Sequence, residues 1–236
     1  MITLTFESTA KVASVAVSDG DRILASYSIN NGLTQSELLL PMAEAMLKSL
    51  GLNFSDIELL GCSVGPGSFT GVRIGTAIVK GIAFGKNIPC ASVSTLEALA
   101  ENLSGLEGII VPVMDARRNQ VYCAVFEYRG GEMIRHTEDM AKDICELGTI
   151  LKSYCDKAVY LVGDGYDVAK RKLTELGIPL AETPEALRDE SAASVAKIAA
   201  RMYKNGMVDT DLTHNPTYLR MPQAERERLA RLNENK

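Results

Sequence analysis

Ser68 and Thr70 stand among Gly65, Gly67, Gly71 and Gly75 in the stretch GCSVGPGSFTGVRIGTA (residues 61–77). A strand that runs into a glycine-rich loop and then a helix can bind an anion. The first backbone N–H groups of the helix point outward, and its dipole favours negative charge. The strict phosphate motifs are not met. A P-loop carries Lys directly after its last glycine, and no Lys follows these glycines at that spacing. A dinucleotide fingerprint needs G-x-G-x-x-G, whereas Gly65 and Gly67 are followed by Thr70 at the third position, with Gly71 one residue late. A G-x-S-x-G nucleophile elbow is absent too, because Gly65-Pro66-Gly67-Ser68 has the wrong register. Glu7, at the end of an apolar-polar alternation, is a carboxylate that can help place Mg²⁺ beside a phosphate. Glu7, Ser8, Thr9, Gly65, Gly67 and Ser68 are therefore the lesser candidates, for contact with a nucleotide.

Other chemistry is thinly represented. His136 and His214 are the only histidines and lie far apart in sequence. Cys62, Cys90, Cys123, Cys145 and Cys155 form no C-x-x-C pair, which argues for reduced thiols and against a zinc site or a disulfide framework. No metal ligand set and no catalytic residue is expected, although a Ser–His–Asp triad is a spatial arrangement that spacing does not address. Asp115-Ala116-Arg117-Arg118 concentrates charge after an apolar run, as an anion or carboxylate contact or a surface ion pair.

A structural reading accounts for more of the glycine loop. Pro66 biases Gly65 toward an extended conformation, and Ser68 or Thr70 can cap the helix that follows. Gly71 and Gly75, then Gly81 and Gly85, fall at i, i+4. Each glycine costs a helix interior about 1 kcal/mol relative to alanine, so close approach of another helix is the expected compensation, by analogy with membrane pairs. The preceding helix carries one apolar stripe at Leu39, Met42, Met46 and Leu50, and a second at Leu40, Ala43 and Leu47. Together they span more than one core-facing side requires, so the helix either meets a partner or is buried between two layers.

These residues need elements to hold them. ITLTFE (residues 2–7) alternates as a half-buried strand does, and residues 12–17 and 22–28 extend it into an antiparallel meander. Thr34 and Glu37 have capping-box spacing before a helix reaching Leu50, with Pro41 predicting a kink or a later start. Residues 57–64 read as a buried strand, 70–84 as a helix, and 88–94 as a short strand, after which Ser94 and Glu97 cap another helix. The order β-β-β-α-β-α-β-α predicts a mixed sheet flanked by helices. Residues 108–116 and 120–128 read as strands, 143–154 as a helix, 157–165 as a strand into a turn, and 191–206 as an amphipathic helix. Three units are expected: residues 1–105 carrying the glycine-loop helix and the one before it, a smaller lobe over 106–208, and a segment over 209–236 that returns to the first lobe and ends in the charged tail AERERLARLNENK.

Composition bounds the rest. The 236 residues suffice for one large domain or two small lobes. With 46% hydrophobic and 23% charged residues the chain reads as a soluble globular protein. A net charge of −5 makes it a poor stand-alone nucleic-acid binder. The opening MITLTFESTA predicts no signal peptide, and no run approaches the roughly 20 apolar residues of a membrane span, so a cytoplasmic protein is expected.

At GPGSFTGVRIG the chain resembles the TsaB family of bacterial tRNA threonylcarbamoyladenosine biosynthesis proteins. QSELLLPM (residues 35–42), MDARRNQVY (114–122) and PTYLR (216–220) are similar to further motifs of that family, so the resemblance covers nearly the whole chain. It implies an α/β fold of the actin-like, ribonuclease-H-like (ASKHA) kind, in two lobes with mixed sheets flanked by helices and the second lobe reduced. It also implies a non-catalytic role. TsaB-like proteins pair with TsaD, which transfers a threonylcarbamoyl group to adenosine 37 of tRNAs reading ANN codons. TsaE, a small ATPase, joins them, and homodimers form through the same face in the absence of TsaD. On this resemblance the partner-binding candidates are Leu39, Met42, Met46, Leu50, Phe69, Thr70, Gly71, Arg73, Ile74, Gly75 and Ile78. No cofactor is implied for this subunit; ATP or ADP and metal are expected at the partners or the complex interface, and tRNA is met through the complex. TsaD-like proteins carry a metal-binding His-x-x-x-His where this chain has Thr95 and Leu99. Glu7 replaces the family's usual Asp, and Gln35 a frequent His. The competing expectation is a stand-alone ATPase, kinase-like enzyme or peptidase acting through Glu7 and Ser68.

Overall fold

The alternation at the N-terminus sets the first layer. In the computed structural model, which describes residues 1–32, 34–117 and 119–220, Leu4 and Phe6 enter one core while Thr5, on the opposite face, donates its hydroxyl to the carbonyl of Ala192 at 2.8 Å. Strands β1 (Ile2–Glu7), β2 (Ala13–Asp19) and β3 (Arg22–Ile29) form an antiparallel meander. Strands β4 (Leu59–Ser63) and β5 (Cys90–Val93) add in parallel beyond β1, giving the order β3-β2-β1-β4-β5. Helices α1 (Gln35–Ser49) and α2 (Phe69–Ala83) cover the Leu4/Phe6 face. Thr34 stands at the N-cap of α1, but its hydroxyl donates to the Glu37 carboxylate at 2.9 Å and caps no backbone N–H, so the expected box is not formed. Pro41 lies inside α1 and does not delay its start.

The second sheet is built around the long strand β6 (Gly108–Asp115). Residues 120–128, expected as one strand, divide into β7 (Gln120–Cys123) and β8 (Phe126–Arg129), which pair with the C-terminal and N-terminal halves of β6 respectively. The short strands β9 (Glu132–Arg135) and β10 (Met140–Asp143) complete the edges, and β11 (Val159–Val162) pairs with β6 in parallel. Helices α4 (Ile144–Leu151) and α5 (Tyr166–Glu175) pack on one face through Leu147, Leu151 and Leu173. The other face meets α3 (Thr95–Glu101), whose Leu96 and Leu99 join Ile110, Met114 and Phe126.

Helix α6 (Ala192–Lys204) corrects the expected division at residue 208. It follows the second sheet in sequence but packs on the first, where Val195, Ile198 and Ala199 meet Leu59, Ala91 and Val93. Its apolar stripe shows that it is covered; only the fold shows by which sheet. Beyond it, Asp209 pairs with Cys90 through two backbone hydrogen bonds, and Thr217 donates to the Val64 carbonyl at 2.7 Å, so residues 209–220 lie along the first lobe. The charged tail falls outside the described residues.

Candidate functional site

The glycine loop joins β4 to α2, and most of its polar groups are engaged within the chain. Ser68 caps α2 by accepting the Gly71 N–H at 3.3 Å, and its own N–H donates to the Thr9 carbonyl at 2.7 Å. Ser8 donates its hydroxyl to the Gly71 carbonyl at 2.8 Å. Gly65 is not extended as Pro66 led one to expect: φ is +119°, and its carbonyl accepts the Thr95 N–H. Glu7 is fully buried and turned inward. One carboxylate oxygen accepts the Thr9 N–H at 2.7 Å and the Thr9 hydroxyl at 2.6 Å, and the other accepts the Ser63 hydroxyl. Burial raises its carboxyl above the usual range against those donors. A carboxylate so committed does not fit the Mg²⁺ role considered for it.

Between the lobes lies a cleft of about 730 Å³. Of the lesser candidates, Thr9, Gly67 and Ser68 line it, while Glu7, Ser8 and Gly65 do not. Lys11, Arg117 and Arg220 bring positive charge, and Asp115 and Asp164 negative charge. Asp164 accepts the Asp115 N–H at 3.0 Å; burial, with the Asp115 charge beside it, raises its carboxyl. Asp115 accepts the backbone N–H of Arg117 at 2.7 Å, and Arg117 is left-handed at φ +63°. The charge concentration after β6 is thus in part a turn in which the aspartate bonds backbone. Among the described residues no group of three His, Cys, Asp or Glu is placed to hold a metal ion. Thr95 and Leu99 are both buried, with Leu99 in the interface between α3 and the second sheet.

A polar cluster that sequence reading missed lies behind β4 and β5. The Cys62 Sγ is 3.3 Å from Nε2 of His214, whose Nδ1 is 2.7 Å from the Ser92 hydroxyl, and that hydroxyl donates to Asp209 at 2.6 Å. The residue types suggest a nucleophile with its base, but the wiring opposes it. The carboxylate bonds Ser92 and not the imidazole, and His214 and Cys62 have no exposed surface. Burial pushes the Cys62 thiol far up, so no thiolate nucleophile is available. The consistent proton order runs from the Cys62 S–H to Nε2 and from Nδ1–H through Ser92 to Asp209. It requires a neutral imidazole, and burial holds the His214 pKa down at about 4. Below the ordinary value of about 6.5 the unfolded chain takes up a proton that the folded chain refuses, so stability falls as pH falls toward the folded pKa. Between pH 7.5 and 5 this amounts to about 2 kcal/mol. Urea titrations at both pH values are expected to show the wild type losing that much relative to His214→Gln on going to the lower pH, since Glu7, Asp164 and Glu190, whose raised carboxyls act in the opposite sense, are common to both chains. An equal loss in the variant would remove His214 as its source.

The α1 candidates lie mostly in the core. Leu39 and Met46 have no exposure, and Met42 is 7% exposed. With Ala43 and Leu47 they pack against the first sheet, so the apolar arc, Leu40 excepted, serves the chain's own core. Leu50 is half-buried against the same core. On α2, Gly71 and Gly75 are buried. Their close neighbour is not another helix but Ser8, whose carbonyl oxygen and hydroxyl oxygen would lie 1.9 and 2.7 Å from added Cβ atoms. Gly81 and Gly85 face open space. Thr70 and Arg73 are exposed, and Phe69, Ile74 and Ile78 half-buried. The outer surface of α2 also presents Ala77 and Phe84, the latter 76% exposed, and α1 adds Leu40. Ala77, Gly81 and Phe84 continue the i, i+3, i+4 spacing from Ile74, and that was the available signal.

The family model described as TsaD: tRNA N6-adenosine threonylcarbamoyltransferase matches residues 34–228. The chain is 27% identical over 232 residues to the tRNA threonylcarbamoyladenosine biosynthesis protein TsaB of Bacillus subtilis, covering 95% of this chain and 96% of the relative. It is 38% identical over 106 residues to TsaB of Escherichia coli, covering 44% and 46%. The solved structure of YeaZ from Pseudomonas aeruginosa superposes with a TM-score of 0.76 at 23% identity, over 92% of this chain and 99% of that one. The two mixed sheets flanked by helices are the actin-like architecture expected from the motifs.

Proposed function

We propose a function on the premise that this chain belongs to the TsaD family of tRNA N6-adenosine threonylcarbamoyltransferases and is a TsaB-type member of it. It takes part in tRNA threonylcarbamoyladenosine biosynthesis, within the modification system that contains TsaD. Its own role is that of a non-catalytic subunit. It docks on TsaD, favours the active conformation of that transferase, and supports assembly with TsaE. The observation that carries this reading is the outer face of α2. Ala77 and the C-cap residue Phe84 are exposed, and Ile74 and Ile78 are only half-covered by the chain itself, along the element that bears the glycine motif. Phe69, Thr70, Arg73, Ile74 and Ile78 are the contact residues retained from the sequence; a second copy occupies them when TsaD is absent. ATP or ADP and metal act at the partner subunits, and tRNA is reached through the complex. Among the described residues no helix is long and apolar enough to cross a membrane.

The test is reconstitution of tRNA threonylcarbamoylation from purified TsaD, TsaE, adenylate synthase, ATP, threonine, bicarbonate and tRNA, with and without this chain. Modification is expected only when the chain is present, with no ATP hydrolysis by the chain alone. Modification that proceeds equally without it would sink the subunit reading. Hydrolysis by the isolated chain, lost in Ser68→Ala, would favour an enzyme working in the inter-lobe cleft.

A further inference from the structure

The cleft and the outer face of α2 are joined by one short segment. Residues 216–220 leave the first lobe beside the glycine loop and reach the second lobe. Their root is fixed. Lys80 Nζ donates to the His214 carbonyl at 3.1 Å and to the Asn215 side chain at 3.2 Å, and the Thr217 N–H donates to the Val64 carbonyl at 2.7 Å. The Thr217 carbonyl oxygen lies 2.4 Å from where a Cβ on Gly65 would stand, so the loop admits the segment only because residue 65 is glycine.

Midway, Tyr218 stacks on Phe69 with ring centroids 5.0 Å apart, and its hydroxyl accepts the Arg73 Nε–H at 2.9 Å. The Arg73 guanidinium in turn lies 3.6 Å from the centre of the Phe69 ring. Phe69 and Arg73 belong to the first turns of α2. Two residues on, Arg220 crosses to the second lobe. It donates to the Ala116 carbonyl at 3.2 Å and to the Gln120 side chain, with its guanidinium 5.4 Å from the Tyr122 ring centre. Its acceptors, Ala116 and Gln120, are themselves paired by a backbone hydrogen bond from the Ala116 N–H to the Gln120 carbonyl. Thr217, Tyr218, Leu219 and Arg220 all line the cleft.

We propose that residues 216–220 form a strap that couples closure of the inter-lobe cleft to the order of the first turns of α2. Arg220 is a long side chain holding one lobe from the other, so a change in lobe separation acts first on its two hydrogen bonds. Tyr218 is two residues away and shares its position with Phe69 and Arg73. Release at Arg220 therefore frees the ring that holds the start of α2. Coupling is reciprocal: loosening α2 at Tyr218 loosens the turn at Ala116 and Gln120. With docking on α2 as proposed above, a partner there gains a hold on the cleft; that consequence rests on the docking reading, and the strap does not.

Amide hydrogen exchange on the free full-length chain tests the strap without any partner. In Arg220→Ala, exchange is expected to rise about three- to tenfold both at residues 116–122 and at residues 69–73, which Arg220 does not touch. In Tyr218→Phe, which keeps the ring and removes only the Arg73 bond, a smaller rise is expected at 69–73 and, in return, at 116–122. Core amides of β11 and α5 serve as the reference for global opening and are expected to stay unchanged. A rise confined to 116–122 in Arg220→Ala, or to 69–73 in Tyr218→Phe, overturns the coupling, as does a uniform rise that includes the reference amides. Should Arg220→Ala fail to fold, Tyr218→Phe decides the question from the other end.

Discussion

Gly71→Ala is expected to lower the stability of the chain by about 4 kcal/mol or more, a large part of the total for a protein of this size. The Cβ it adds would lie 1.9 Å from the Ser8 carbonyl oxygen and 3.0 Å from the carbonyl carbon. Both atoms are backbone, and the loop they belong to is held on all sides. Ser8 Oγ donates to the Gly71 carbonyl, the Ser68 N–H donates to Thr9, and Thr9 is held by the buried Glu7. Nothing flexible is available to give way, so α2 must lift from the β1–β2 loop. Gly81→Ala is the matched control. It lies in the same helix with nothing within 4 Å of its Cβ position, and it is expected to stabilise by about 1 kcal/mol. Urea denaturation of the two variants beside the wild type measures both. Equal midpoints for Gly71→Ala and the wild type would show that the close approach of Ser8 is not a constraint in solution.

Met46→Asp is expected to prevent folding, whereas Ile78→Asp is expected to fold and, with docking on α2 as proposed, to lose complex formation with TsaD. Met46 has no exposed surface and packs among Leu39, Leu47 and the first sheet. An unpaired carboxylate there costs about 4 kcal/mol or more, either as buried charge or as the cost of staying protonated, in addition to the lost packing. Ile78 is half-buried, packed in part on the first core with the rest of its side chain in water, so an aspartate there reaches solvent and costs about 2 kcal/mol. Circular dichroism melting separates the two variants, and gel filtration with TsaD reads complex formation for Ile78→Asp. A wild-type melting temperature for Met46→Asp would contradict its burial. An undiminished complex for Ile78→Asp would move the docking face away from α2.

The contrast between those two residues marks the limit of reading an apolar stripe. Periodicity shows that Leu39, Met42 and Met46 share one side of a helix. It carries no information about which apolar surface covers that side, and here the first sheet does so. The same holds for α6, recognisable as amphipathic over residues 191–206 yet packed across the chain on the first sheet. Strands β9 and β10, four residues each with polar positions, and the highly charged α5 gave too little periodicity to be read.

By itself the sequence determined what depends on neighbours a few residues apart. It placed the meander of β1 to β3, the alternation that follows, the Ser94 cap, a cap for α2 at Ser68 or Thr70 that the structure resolves to Ser68, and a glycine motif specific enough to imply the family. Local backbone preference and side-chain period are sufficient for these. Tertiary structure alone decided everything that joins distant segments. It set His214 against Cys62 across 152 positions, brought the Ser8 backbone onto Gly71, turned Glu7 away from the cleft, and laid Tyr218 on Phe69. Such contacts follow from the way two sheets, and the segments that cross between them, share space. Their partners carry no mark in a single chain until the layers are packed.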